Sequence, residues 1–334
     1  MSNFQLVPSR AGRRGRTALA AATTCGALAF TMAAAAPSSA RPDAPEVRTL
    51  TQVATIPISN APTGLADDAA TGTVYATDKG AEAVYVISAA TNTITATIPV
   101  GTGPRAVAVN PVTDTIYTAN MVAGTVSVID GATNTVTATI PGVPNAFSIA
   151  VNTTTNTVYV AASNGIAVID GATNTVTGTI NSIARALAVN SKTGRIYSGG
   201  GEALTVINGT TDRVITTLTG LPVDTDAIAV NTATNTVYIS GRHQGVGVID
   251  GKTDTLVTKI SLRAKPRSIA VDQADDRLFT GGPGFVPVAE INARTDRVVA
   301  DALVPHIYNI TVDPQAKEIY VDGFRSDGIT VYSF

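Results

Sequence analysis

Residues 105–141 decide the fold: Arg105-Ala-Val-Ala-Val-Asn-Pro-Val-Thr-Asp-Thr-Ile-Tyr117, a short polar passage, then Gly124-Thr-Val-Ser-Val-Ile-Asp-Gly-Ala-Thr-Asn-Thr-Val-Thr-Ala-Thr-Ile-Pro141. The unit recurs about seven times. The residue in the place of Tyr117 can be followed as Tyr75, Tyr117, Tyr159, Tyr197, Tyr238, Phe279 and Tyr320, at spacings of 42, 42, 38, 41, 41 and 41. A fixed period of this size marks a repeat architecture. Each unit holds four short runs rich in Val, Ile, Thr and Tyr, bounded by Asn, Asp, Gly and Pro; in the quoted unit they are 106–109, 115–118, 125–129 and 135–140. Such runs read as strands. Four short strands per repeat make one antiparallel blade, and seven blades in a ring make an all-β, seven-bladed propeller.

The ends of the repeat array predict how the ring closes. Residues 49–57 align with 133–141, the fourth and outer strand of a blade, yet they precede any first strand. At the other end 308–311, 318–321 and 329–333 supply three strands and no fourth. Pairing the early strand with the last blade completes it and covers two sheet edges that would otherwise template aggregation.

The first forty residues differ in kind. Arg10, Arg13, Arg14 and Arg16 precede an Ala-rich apolar run over 18–36, and Ser38-Ser39-Ala40 offers small residues for cleavage, so 1–40 reads as an export signal. Arg13-Arg14 is the pair of the twin-arginine route, while Arg16 stands where that motif carries an apolar residue, so twin-arginine and general secretory export both stay open. Residues 41–46 form a linker and 47–334 the propeller. The expected location is secreted or in the cell envelope. Cys25 is the sole cysteine and lies inside the apolar run, after Ala22-Thr23-Thr24, a poor lipidation site; the exported chain then has no thiol and no disulfide. No other apolar run approaches the ~18 residues that span a bilayer. Loss of residues 1–40 removes four cations and takes the formal charge from −2 to −6, which disfavours generic nucleic-acid binding.

Every first strand ends in Asp or Asn: Asp68, Asn110, Asn152, Asn190, Asn231, Asp272 and Asp313. Seven such residues invite a metal ring, but the same side chains cap turns by accepting from backbone amides two residues on, and that role fits their place before a hairpin. Ile129-Asp130-Gly131, Ile169-Asp170-Gly171 and Ile249-Asp250-Gly251 are hairpin signals between third and fourth strands. The Tyr series reads as core.

Together the units resemble the YVTN β-propeller repeats, and the chain over about 47–334 resembles the exported YncE-type propellers. The likeness is carried by Asn110-Pro111 through Tyr117-Thr118-Ala119-Asn120 and by Val128-Ile129-Asp130-Gly131-Ala132-Thr133-Asn134-Thr135-Val136. The sixth unit departs most, with Phe279 for Tyr and Ile291-Asn292-Ala293 for Ile-Asp-Gly, and the absence of Trp argues against WD40 blades. The resemblance implies a seven-bladed propeller outside the cytoplasm and little about chemistry.

Function is expected where the repeat is broken. First-to-second and third-to-fourth hairpins share one monotonous face; second-to-third hairpins and the links between blades vary on the other, where binding residues belong. The position five before each capping Asp or Asn gives a non-uniform ring at the mouth of the central channel: Thr63, Arg105, Phe147, Arg185, Asp226, Arg267 and Tyr308. Three cations, one acid and two aromatics make a recognition surface for a small anionic ligand, with the aromatics as stacking faces; the competing reading pairs each arginine with a loop acid such as Asp226. His243 and His306, the only histidines, lie on the same face. Nucleophile-elbow, cysteine and zinc-helix motifs are absent from 41–334, and Glu82, Glu202, Asp224 and Asp226 are not shown to converge by their spacing. The expectation is a monomeric, noncatalytic binding scaffold for a small anion, an envelope polymer or a protein, with no metal and no cofactor; the alternative is a propeller lyase or lactonase.

Overall fold

The computed structural model describes residues 47–58, 62–182, 184–221, 223–243, 245–262, 265–283, 285–323 and 328–334. The expected export signal and linker lie outside them. The described chain forms seven sheets, each built on four antiparallel strands that run in sequence order in every blade but the last. Blade two runs Pro104–Asn110, Thr115–Asn120, Thr125–Asp130 and Thr135–Ile140. The sheets pack face to face through apolar clusters that each draw on two neighbouring blades: Tyr117, Val126 and Val128 of blade two meet Ile149, Val158 and Val160 of blade three.

Closure follows the sequence alignment residue by residue. Thr51–Pro57 pairs antiparallel with Gly328–Ser333, Thr51 opposite Ser333 and Ile56 opposite Ile329, completing blade seven. A bulge between Gln52 and Ala54 repeats the one between Val136 and Ala138 in blade two. An unexpected addition precedes it: Arg48–Thr49 runs parallel to Arg297–Pro305, a fifth strand on blade six. Arg48 Nη2 donates to Glu290 Oε1 at 3.1 Å, and Glu290, fully buried, also binds Arg277. Leu50 is buried between blades six and seven, beside Phe279, Ala300 and Ile319. The N-terminal segment therefore clasps two blades, with an ion pair to one and a strand in the other.

The constant face is held by one bond made seven times. In each blade the residue after the third strand donates its backbone N–H to the carbonyl of the residue that ends the first hairpin: Gly131 to Asp114 at 2.9 Å, Gly171 to Asn156 at 2.8 Å, and so on to Phe334 on Lys317 at 3.1 Å. The accepting residues Asp114, Asn156, Asn235, Asp276 and Lys317 have positive φ, the left-handed turn that Asn and Asp tolerate best. All seven capping residues accept from the amide two residues on, for example Val112 N–H to Asn110 Oδ1 at 3.1 Å and Gln315 N–H to Asp313 Oδ1 at 2.8 Å. The Tyr series is core, as expected, at most 2% exposed. At three junctions its hydroxyls explain the glycine that follows the third strand, since a side chain at Gly171, Gly209 or Gly251 would collide with the hydroxyl of Tyr117, Tyr159 or Tyr197 from the preceding blade. Phe279 has no hydroxyl, and there the ring of Phe334 stands in the glycine's place, 4.6 Å from the Phe279 ring.

Under the channel mouth of blade seven lies a buried acid. Asp322 stands where blade two has Ala119 and accepts from both the backbone and the side-chain amide of Asn309, each at 2.6 Å. Burial pushes its carboxyl up to about 7 against the lowering effect of those bonds.

Two measurements check this architecture. Ile56→Ala removes a side chain that is 1% exposed and should cost about 2–5 kcal/mol in urea unfolding, whereas Val53→Ala on the same strand, 48% exposed, should cost under about 0.5 kcal/mol; equal losses would contradict the closure. Because Asp322 has a raised folded pKa, its contribution is fully present below the unfolded carboxylate value and is lost as pH rises through about 7. The melting temperature of Asp322→Asn should therefore fall less than that of the native chain between pH 4 and pH 8, and parallel curves would contradict the assignment.

Candidate functional site

The seven first strands converge on the axis, and the residues that open them meet. Thr63, Arg105, Phe147, Arg185, Asp226, Arg267 and Tyr308 all line one cavity of about 880 Å³, with Lys79, Gly80 and Pro283 from second-to-third hairpins at its rim. Two residues further along each strand, Leu65, Val107, Ile149, Leu187, Ile228, Ile269 and Ile310 form an aliphatic ring within it. The cavity is thus a funnel with a polar rim and an apolar throat, the usual build of a small-molecule site. Its charged lining is Lys79, Arg105, Arg185 and Arg267 against Asp226 alone, a positive mouth on a chain of negative net charge.

The competing reading of the arginines holds for one of three. Arg267 Nη2 lies 3.5 Å from Asp226 Oδ2, which also takes Arg242 Nε at 3.3 Å. Arg105 and Arg185 are exposed and form no ion pair among the described residues. Phe147 and Tyr308 keep 37% and 46% of their surface exposed, so both rings offer faces to the cavity. Thr63 has a packing role: its hydroxyl donates to the Pro104 carbonyl at 2.8 Å and ties blade one to blade two.

Beside the mouth the structure overturns the expectation of a scaffold without metal ligands or catalytic groups. Glu202, Asp224 and His243 offer one ligand atom each within 4.8 Å of one another. Glu202 and His243 are the same position of the second-to-third hairpin in blades four and five, and Asp224 belongs to the link between those blades. Two glycines let that link lie close. A side chain at Gly199 would strike the Thr225 carbonyl, 2.6 Å from its Cβ position, and one at Gly241 would strike the Asp224 carbonyl at 2.8 Å. Thr225 then binds the hairpin, N–H to the Gly201 carbonyl at 2.7 Å. Asp224 is 8% exposed and its Oδ2 accepts from the Arg242 N–H at 3.3 Å, while Glu202 and His243 remain accessible, His243 Nδ1 3.9 Å from Glu202 Oε1.

Two carboxylates and an imidazole form a donor set that suits a divalent transition metal, and three ligands with two of them solvent-facing leave coordination positions for water or substrate. Arg242 couples this group to the mouth, its backbone on Asp224 and its guanidinium on Asp226. Glu82 and Asp226, the other acids considered, are not members of the group. His306 is not a member either. It occupies the place in its link that Asp224 has in blade four's, and its φ of 56° matches 51° at Asn145 and 69° at Gly103, the corresponding residues of other links. The signal for the group was present in the sequence: Glu202 and His243 are 41 residues apart, the same interval as Tyr197 and Tyr238, so the ring must set them side by side.

No helix among the described residues is long and apolar enough to cross a membrane. Comparison with protein-family models and with curated proteins yields no match. Among solved structures the chain is similar to hydrazine synthase of Kuenenia stuttgartiensis, with a TM-score of 0.74 and 16% identity over 85% of this chain and 97% of that one; at that identity the likeness is one of fold.

Proposed function

We propose that this chain is an exported, YVTN-type propeller enzyme, a metal-dependent lactonase or lyase acting on a small anionic molecule at the channel mouth. The observation that carries the reading is the convergence of Glu202, Asp224 and His243. A metal held there would polarise a carbonyl and lower the pKa of a bound water, the chemistry that ester hydrolysis and proton abstraction beside a carbonyl both need. The chain's own residues supply the rest. Arg105 and Arg185, free of acid partners among the described residues, hold the anionic end of the substrate; Phe147 and Tyr308 stack on its body; the aliphatic throat excludes water from one side. Asp226 orients Arg242 and Arg267, keeping the substrate's charge beside the metal group.

The test is calorimetric titration of the chelator-treated protein with Zn2+ and Mn2+, followed by assay of the loaded protein against carboxylate-bearing lactones and uronate-type elimination substrates. One metal per chain should bind, Asp224→Asn should abolish binding and turnover, and Arg105→Ala with Arg185→Ala should raise KM about tenfold or more at unchanged metal affinity. Turnover that survives chelation, or metal binding untouched by Asp224→Asn, would overturn the reading. Gly241→Ala, which displaces Asp224 without altering a ligand, should weaken metal affinity while Gly178→Ala, where a side chain meets nothing within 4 Å, should not.

A further inference from the structure

The junctions between blades on the constant face follow a rule with one exception. The capping residue of one first strand faces the left-handed residue of the next blade's first hairpin, and where both have side chains the two are complementary. Asn110 Nδ2 donates to Asn156 Oδ1 at 2.8 Å, Asn190 Nδ2 to Asn235 Oδ1 at 2.7 Å, and Asn231 Nδ2 to Asp276 Oδ1 at 2.9 Å. Between blades six and seven a cation takes the donor's role, Lys317 Nζ lying 3.4 Å from Asp272 Oδ2. Two junctions carry glycine in the second place, Gly194 and Gly72. The remaining one sets Asp68 of blade one against Asp114 of blade two, acceptor against acceptor.

Asp68 Oδ1 takes the Ala70 amide just as Asn110 Oδ1 takes that of Val112, so Asp68 Oδ2 occupies the place of the donating amide. Asp68 is 1% exposed, and neither its Oδ2 nor Asp114 Oδ1 has a hydrogen-bond partner among the described residues. A buried carboxylate oxygen without a partner is costly. Neighbours make it worse: Asp67 stands where blade two has Val109, and burial first, then Asp313 and Asp68, push its carboxyl up to about 8. Burial, Asp68 and Asp130 likewise raise Asp114. Between residues 62 and 141 the only cations are Lys79 and Arg105, both at the channel mouth on the opposite face.

We propose that Asp68 and Asp114 bind a hard divalent cation, Ca2+ before others, which joins blade one to blade two in the way Lys317 joins blade seven to blade six. The donor set is oxygen only, the chemistry Ca2+ takes, and Asp114, half-exposed at the surface, leaves room for carbonyl and water ligands to complete the coordination. The site is independent of the metal group at the mouth, which contains an imidazole and lies on the other face.

The experiment is a melting curve of the full chain at pH 7.5, in chelator and in 5 mM Ca2+, on an Asp224→Asn background so that the mouth group does not contribute. Ca2+ should raise the melting temperature by about 4 °C. Asp114→Asn, whose side-chain amide can donate to Asp68 Oδ2, should melt above its parent in chelator and gain nothing from Ca2+; Asp114→Gly, the residue of the corresponding place in blade four, should also lose the response. A parent indifferent to Ca2+ while Asp114→Asn is stabilised would mean that the two carboxylates share a proton only, and equal Ca2+ gains in parent and variants would place the cation elsewhere; either result overturns the proposal.

Discussion

The ring depends on one strand pairing. A row of blades is an open array with two unpaired ends; the bonds between Thr51–Pro57 and Gly328–Ser333 complete the last blade, and packing of Tyr320 and Val331 against Val74 and Ile87 joins it to the first. Closure in turn fixes everything at the axis. The seven first strands converge at the axis of the closed ring, and their convergence is what brings residues spread from Thr63 to Tyr308 around one cavity. The clasp from Arg48 to buried Glu290 and the burial of Leu50 reinforce the pairing where the two ends of the chain meet.

Closure also converts sequence period into spatial contact. Residues one repeat apart face each other across a blade junction, so a difference between repeats becomes a local chemical event. At most positions the repeats agree and the result is packing, as with the tyrosine hydroxyls against the glycines of the next blade. Where they disagree, chemistry appears: Glu202 beside His243 on the variable face, Asp68 against Asp114 on the constant one. The two faces share one logic and differ in regularity: the bond from Gly131 to Asp114 recurs in all seven blades of the constant face, while variable-face bonds such as Val100 N–H to the Glu82 carbonyl and Thr225 N–H to the Gly201 carbonyl differ from blade to blade.

Much of this was legible in the sequence because the repeat is strong. The blade strands, the capping role of Asn110 and its counterparts, the closing strand and the ring from Thr63 to Tyr308 follow from period, turn chemistry and alignment alone. The fifth strand on blade six was not legible, since Arg48 and Thr49 are too short a run to carry a strand pattern and find their partner only in three dimensions. The group of Glu202, Asp224 and His243 escaped for a different reason. Its ligands come from two hairpins and a link, and the third, Asp224, is placed by glycines that make room for it rather than by any spacing from the other two. The three mouth arginines, alike in the repeat, differ in their surroundings, since only Arg267 among them lies within reach of Asp226.

The central claim is that departures from the repeat at the junction of blades four and five build a metal centre beside a cationic channel mouth. Crystals grown with Mn2+ and measured on both sides of the manganese absorption edge test it directly. The account predicts an anomalous peak bounded by Glu202, Asp224 and His243, with ligand distances of about 2.0–2.2 Å. A map with no peak among those three side chains, or with manganese bound only elsewhere on the disc, would contradict it.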